Sequence, residues 1–492
     1  MLIDRYDAED VFARVPELAE QTDPVLVQLD RLLDDDQLYA QVRGDLARRS
    51  RLTPGHGRHS TPAEVLLRLL VVQHLYAWSY AETVERVADS LVLRWLCRVY
   101  FRRVPAKATL LRWAATIRPA TLQALIDRIA LLAKQARVTQ GRKLRIDSTC
   151  VQTNVHHPTE SGLLGDGVRV LSRLIRHAKP LVQAALASVR DAFRSRVRTS
   201  RRLLQQIHRV RRFKGEEADQ QQRELYHCLL GVTRQTVCQA KRARQALDAV
   251  GVRGERWASA VSSAGSAGSA ADRAARRLTA QFDRYLPLVQ QGIEQAQMRV
   301  LAGQPVASTA KVLSLFEPHT RVVKRGKTGA AVEFGRQVML EEVEGGIVTR
   351  FHVLADEESE CHQALPAIAH HRAVLGRPPA LVTGDRRLHA KGVEAAAQSL
   401  GVRHVVIPWT GTLSAARRAH EHERRWRRRY RWRAGIEGRI YSLRRDYGLA
   451  RSRSHGEVGL ERDVGWGVLA SDLRQIAIAQ AQRQASMTQW AA

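Results

Sequence analysis

Cysteine is scarce and unpatterned in this chain. Five occur in 492 residues, at Cys97, Cys150, Cys228, Cys238 and Cys361, with no CxxC pair. The nearest His/Cys neighbours, Cys361-His362 and His227-Cys228, lack zinc-site spacing, so all five read as reduced structural or incidental thiols. Long apolar runs are missing as well. The longest, such as VLLRLLVV at 65–72, are short and broken by Arg68. None approaches the ~20 apolar residues of a membrane span. The N-terminal MLIDRYDAED has no basic-then-apolar signal pattern, and a cytoplasmic protein is expected. Acid is in short supply: Lys+Arg 79 against Asp+Glu 49 leaves a net charge of +30. That excess opposes compaction and attracts polyanions, which makes nucleic acid the leading partner class. An anionic membrane surface is the competing class, and the apolar runs speak against it.

What is present divides by pattern, and the length leaves room for two to four domains. Residues 1–54 read as a helical entry segment ending in the loop LTPGHGRHS. Residues 55–137 read as a helical, DNA-binding domain. Thr61-Pro62-x-Glu64 and Ser79-x-x-Glu82 have the form of helix starts with a box glutamate. Thr109 is expected to cap a short helix after Pro105. Short helices with arginines at their turns suit a helix-turn-helix and a plain bundle equally. RKLRIDSTCVQTNV, at 142–155, alternates and is rich in Ile, Val and Thr, so it reads as a strand carrying Asp147.

Residues 165–300 revert to helix, with Phe193, Val197, Leu204 and Ile207 spaced as a packed seam. Lys214-Gly215 makes a turn, and SSAGSAGSAAD at 262–272 reads as a flexible one. From about 308 the chain turns β again. VVKRGKTG, with Lys324, Arg325 and Lys327, suits phosphate contact. AVEFGRQVMLEEV and GGIVTRFHVLA read as a hairpin joined at Glu344-Gly345-Gly346. A helix, a short strand ending in Asp385, a helix and a strand follow, and then a long basic helix. Omitting the helical insertion leaves an α/β fold, a mixed sheet flanked by helices. Its parts are 138–164 with 301–480, and a tail covers 481–492.

The basic helix holds the unusual stretch. Between Trp426 and Arg445 there is one acid, Glu437, among eight arginines. On a helix with a step of ~100°, Tyr430, Arg433, Glu437 and Arg444 share one face. Ile436, Ile440 and Leu443 form an adjoining buried stripe. Gly435 and Gly438 weaken such a helix, and a close backbone approach, nucleic acid included, would account for them. The plain alternative is an arginine-rich surface helix with a stray glutamate. Asp147 and Asp385 have turn and capping readings of their own. Neighbouring strands would nevertheless bring these two together, within reach of Glu437. Three converging carboxylates call for a cation, and oxygen ligands suit Mg²⁺ or Mn²⁺.

With those residues in place, the chain resembles the DDE transposases of bacterial insertion sequences, specifically the IS4/IS5-like group with an RNase H-like catalytic core. Tyr430, Arg433, Glu437 and Arg444 match that group's Tyr-x2-Arg-x3-Glu-x6-Lys/Arg signature, with arginine in the last place. IDSTCVQTNVHHPTESGLLGDGVRVL resembles the first-aspartate segment, TGDRRLHAKG the second, and RGKTGAAVEFG the strand block between them. The likeness runs over roughly 55–480. It implies an RNase H-like mixed sheet interrupted by a long helical insertion and preceded by an all-α N-terminal domain. It implies that Asp147, Asp385 and Glu437 hold two Mg²⁺ (or Mn²⁺) ions and cut and join DNA by in-line phosphoryl transfer. Tyr430, Arg433 and Arg444 would then position the DNA backbone, with Lys324, Arg325 and Lys327 nearby. Gln152 and Asn154 are further candidates for the same groove. Double-stranded DNA, both transposon ends and target, is the implied partner. A homodimer or higher oligomer on DNA and a nucleoid-associated location go with it. The other readings are a metal-dependent structure-selective nuclease and an inactive DNA-binding derivative.

Overall fold

The structure is a computed structural model, described for residues 2–7, 14–17, 21–48, 60–261, 270–327 and 330–491. The loop at 52–59 and most of the serine-glycine stretch at 262–272 lie outside the described residues. The chain divides into two compact units, Met1–Asn154 with Val323–Ala492, and Val155–Val322. No helix among the described residues is long and apolar enough to cross a membrane.

The first unit begins with α1 (Pro24–Leu32), α2 (Asp36–Ala47), α3 (Ala63–Leu75), α4 (Tyr80–Asp89), α5 (Leu91–Leu96), α6 (Lys107–Ala114) and α7 (Pro119–Gln135). Arg68, which breaks the apolar run of α3, is fully buried. It donates to Asp30 at 2.7 Å, Asp34 at 2.6 Å and Glu64 at 3.2 Å. Burial of this kind is tolerated only because every charge has a partner. Glu64 therefore does not close a capping box: α3 starts one residue later than the sequence suggests and has no side-chain cap. The Ser79–Glu82 box does form, with Ser79 Oγ accepting from the Glu82 N–H at 3.2 Å and Glu82 from the Ser79 N–H at 2.7 Å. Thr109 is not a cap; α6 begins after Ala106, which offers no side-chain acceptor.

Strand β1 (Lys143–Gln152) starts a six-stranded mixed sheet with β2 (Arg321–Lys327), β3 (Ala330–Val343), β4 (Ile347–Val353), β5 (Leu381–Gly384) and β6 (His404–Val406). The order is β2-β3-β1-β5-β6, and β4 also pairs with β3. β1 runs antiparallel to β3 and parallel to β5, with Ile146 opposite Gly384. The hairpin between β3 and β4 turns where the sequence places it, because Gly345 (φ 82°) and Gly346 (φ 75°) take left-handed conformations. β2 is a strand where the sequence suggested only a basic phosphate-contacting segment. Helices α12 (Ala364–Leu375) and α13 (Val393–Ser399) connect the later strands, and the long α17 (Glu457–Ala491) packs on α1, α3, α7 and β4. One hydrophobic core joins the N-terminal helices to the sheet, from Leu69 and Ile126 to Ile146, Val338 and Leu469.

The second unit is helical: α8 (Glu160–Val182), α9 (Val197–Val210), α10 (Glu216–Val261) and α11 (Ala270–Ala296) pack around Leu171, Leu230 and Phe282. The seam of α9 runs through Ser200, Leu203, Ile207 and Val210. Of the expected set, Ile207 is buried in it and Leu204, half-buried, packs against the same core, as does Phe193 from ahead of the helix, while Val197 opens it.

His371 on α12 is fully buried and meets the Gly141 carbonyl at 3.1 Å. Burial pushes its pKa down to about 4, against the contact with Gly141. The unfolded chain takes up this proton near the ordinary value of 6.5, while the fold resists it until about 4. Stability is thus expected to fall as pH drops through that window, by at most about 3 kcal/mol. Urea unfolding of the wild type and His371→Gln between pH 7 and 4 checks this; an unchanged acid slope in the variant assigns the loss to other groups.

Candidate functional site

The basic stretch near the C-terminus is not one helix. It comprises α14 (Ala415–His422), α15 (Arg424–Arg431), a 3₁₀ turn at Trp432–Ala434 and α16 (Gly435–Asp446). A uniform wheel therefore fails across Trp432, and the single face expected for the four signature residues splits in two. Tyr430 belongs to the face that packs on the sheet. Its ring stacks on Trp426 at 5.1 Å, beside Leu381 and Val406, and it does not line the cleft described below. Within α16, Ile436 and Leu443 are buried and Ile440 half-buried, as expected. Arg439 is buried with them and bonds Asp472 at 2.7 Å.

Alternate residues of β1 meet this stretch one after another, as the two-residue period of a strand requires. Arg145 donates to the Trp432 carbonyl at 2.9 Å and to Glu342, its cross-strand partner on β3. Asp147 accepts from Arg433 Nη2 at 2.9 Å. Thr149 and the Cys150 carbonyl accept from Arg444 at 3.2 and 2.6 Å, and Arg444 also pairs with Glu333 at 3.2 Å. Arg433 reaches in the other direction to Glu437 Oε1 at 3.0 Å, so one guanidinium spans two of the acids expected at the site.

These contacts border a cleft of about 260 Å³ lined by Asp147, Ser148, Gln337, Asp385, Arg387, Arg433 and Glu437, among others. The parallel register of β1 and β5 puts both aspartates there. Asp147 is buried and Asp385 half-buried, while the Glu437 side chain is 64% exposed. Burial raises the pKa of Asp147, and the charge of Asp385 pushes the same way; Arg433 and the Ser148 N–H oppose them. Such a carboxylate gains from any added positive charge. Among the described residues, no three His, Cys, Asp or Glu side chains stand close enough to hold a metal ion. The structure thus brings the three acids to one cleft, with Arg433 rather than a carboxylate cage between Asp147 and Glu437.

The remaining candidates are spread more widely. Arg444 and Asn154 line an adjoining cavity of about 450 Å³ with Arg445, Arg451 and Arg453. Gln152 ends β1 and is held by backbone bonds to Ala450 and Ser452. Lys324 is exposed on β2, next to Val323 in the cleft wall. The side chains of Arg325 and Lys327 lie outside the described residues. Sequence reasoning missed Arg145, Glu360 and Gln337. Arg145 was open to discovery, since it lies two residues from Asp147 on the same face of a strand. Glu360, one of several acids before α12, has no such signal.

Gly435 has a structural reason different from the one its sequence suggests. A Cβ there would lie 2.1 Å from Arg145 Nη1, so the glycine admits a side chain of the protein itself. At Gly438 nothing lies within 4 Å. Gly435→Ala is expected to displace Arg145, strand the buried Glu342 and cost about 1–3 kcal/mol. Gly438→Ala should instead stabilise α16 by about 0.5–1 kcal/mol. Chemical denaturation of the two variants measures the contrast, and equal effects would remove the Arg145 explanation.

Residues 14–116 match the family model described as Transposase domain (DUF772). The match covers about a fifth of the chain, within its N-terminal helical part. It supports a transposase, hence a DNA-processing enzyme with DNA as its partner. No curated protein and no solved structure matches the chain.

Proposed function

We propose that the chain is a DDE-type transposase with an RNase H-like core, cutting transposon ends and joining them to target DNA at the cleft of Asp147, Asp385 and Glu437. The observation that carries this reading is the parallel pairing of β1 with β5, which sets two aspartates side by side at one cleft. Glu437, contributed by a helix far along the chain, faces the same cleft through Arg433. The transposase-domain match in the N-terminal helices supports it independently.

The donor set fits a hard divalent cation in kind: carboxylate oxygens from two adjacent strands and an exposed third on a helix. Asp147, Asp385 and Glu437 would hold Mg²⁺ or Mn²⁺, which when bound activates water for attack on a phosphodiester and neutralises the leaving oxygen. Arg433 occupies the position of such a charge in the free protein. Once exchanged off Asp147, its guanidinium would be available at the cleft to pair with a scissile phosphate, and its planar fork suits that task. Arg444 acts differently. Bound to Thr149, the Cys150 carbonyl and Glu333, it fixes the ends of β1 and β3 beneath the incoming strand. Arg445, Arg451 and Arg453 extend the positive surface along the adjoining cavity, where backbone phosphates bind without base preference. Assembly as a dimer on paired DNA ends belongs to the same proposal.

Protein, end DNA and a target plasmid incubated with Mg²⁺ test the reading, because only a transposase yields joined product. Hydrolysis without joining assigns a nuclease on the same site. Glu437→Ala and Asp147→Asn are each expected to lower strand cleavage by at least about 10³-fold, the scale of losing electrostatic stabilisation at the reacting centre. Binding of end DNA should persist in both. Continued cutting by Glu437→Ala would remove Glu437 from the site.

A further inference from the structure

A fourth carboxylate stands behind the cleft. Glu360 lies in a 3₁₀ turn ahead of α12, and its side chain is 11% exposed. It accepts from Ser148 Oγ at 3.2 Å, from Arg387 Nη1 at 3.4 Å and from Gln337 Nε2. Gln337 also donates to Ser148 Oγ at 3.0 Å, closing a ring of three side chains.

Two of these partners are tied to the aspartates of the cleft in the same way. Ser148 gives its backbone N–H to Asp147 Oδ1 at 2.8 Å and its hydroxyl to Glu360. Arg387 gives its backbone N–H to Asp385 Oδ1 at 2.9 Å and its guanidinium to Glu360. Each aspartate is thus joined to Glu360 through one residue. Burial, followed by the charge of Asp385, raises the pKa of Glu360, as expected for an acid held close to another acid.

We infer that Glu360 is a positioning residue: through Ser148 and Arg387 it fixes the separation and orientation of Asp147 and Asp385, and its charge strengthens the cleft's affinity for a divalent cation. This rests on the proposed cation-dependent function. Carboxylates that ligate metal are commonly oriented by such outer partners, whose loss costs about 10–100-fold in metal affinity or activity. Arg433 holds Asp147 through its other oxygen, Oδ2. The carboxylate is therefore gripped at both oxygens, and the path through Ser148, Glu360 and Arg387 ties it to Asp385 by hydrogen bonds.

Glu360→Gln in the full-length protein keeps the size of the side chain and removes its charge. Mn²⁺ binding to the DNA-free protein, followed by the resonance signal of free Mn²⁺, is expected to weaken by about 10–100-fold. The Mg²⁺ concentration for half-maximal cleavage should rise in step, with the thermal midpoint near that of the wild type, a combination that simple loss of structure does not give. Ser148→Ala opens one arm without changing the charge of the cleft and should shift Mn²⁺ affinity in the same direction; it carries the test if Glu360→Gln fails to fold. Wild-type Mn²⁺ affinity in the foldable variants overturns the positioning role and leaves the proposed function standing. A wild-type protein that neither binds Mn²⁺ nor cuts DNA overturns both.

Discussion

Strand β1 is the constraint on which the site depends. Its antiparallel bond to β3 and parallel bond to β5 leave it no freedom of register, and a one-residue slip would turn Asp147 away from the cleft. The same strand is stitched to the Trp432–Arg444 segment at Arg145, Asp147 and Thr149. A site assembled from distant segments is held by one element that touches all of them.

Scarce acid is used economically in this basic protein. Asp30, Glu64, Glu341, Glu342 and Asp472 are all buried, and each pairs with an arginine. Buried pairs add little net stability but penalise any arrangement that separates them. They therefore specify which packing forms, including the contact of Arg145 with Glu342 beneath Gly435. At the cleft the pattern changes: Glu437 is largely exposed and Asp385 half-buried, so these carboxylates remain within reach of a ligand.

Much of this was legible in the sequence, for reasons that differ by element. β1, the β3–β4 hairpin and the Ser79 box were readable because local chemistry fixes them: alternation, paired glycines and a serine three residues before a glutamate. The association of Asp147 with Asp385 followed from strand order. The capping role of Thr61 and Glu64 failed because a buried arginine captured the glutamate, a tertiary contact with no local mark. The single-face wheel failed because a 3₁₀ turn at Trp432–Ala434 resets the helical phase. Glu360 was invisible for a related reason: its partners Ser148, Gln337 and Arg387 come from three separate segments.

The order of elements also constrains how the site comes into being. β1 leaves the ribosome long before β5, and α16 comes later still, with the whole helical unit of 155–322 synthesised in between. Asp147 and Arg433 are 286 residues apart in sequence, so closing their contact is a late, entropically costly event. A nascent or truncated chain lacking the region beyond Ala434 has no third acid to offer. The cleft is therefore completed only after the chain has been made through Glu437, and shorter translation products lack the full set of acids at the cleft.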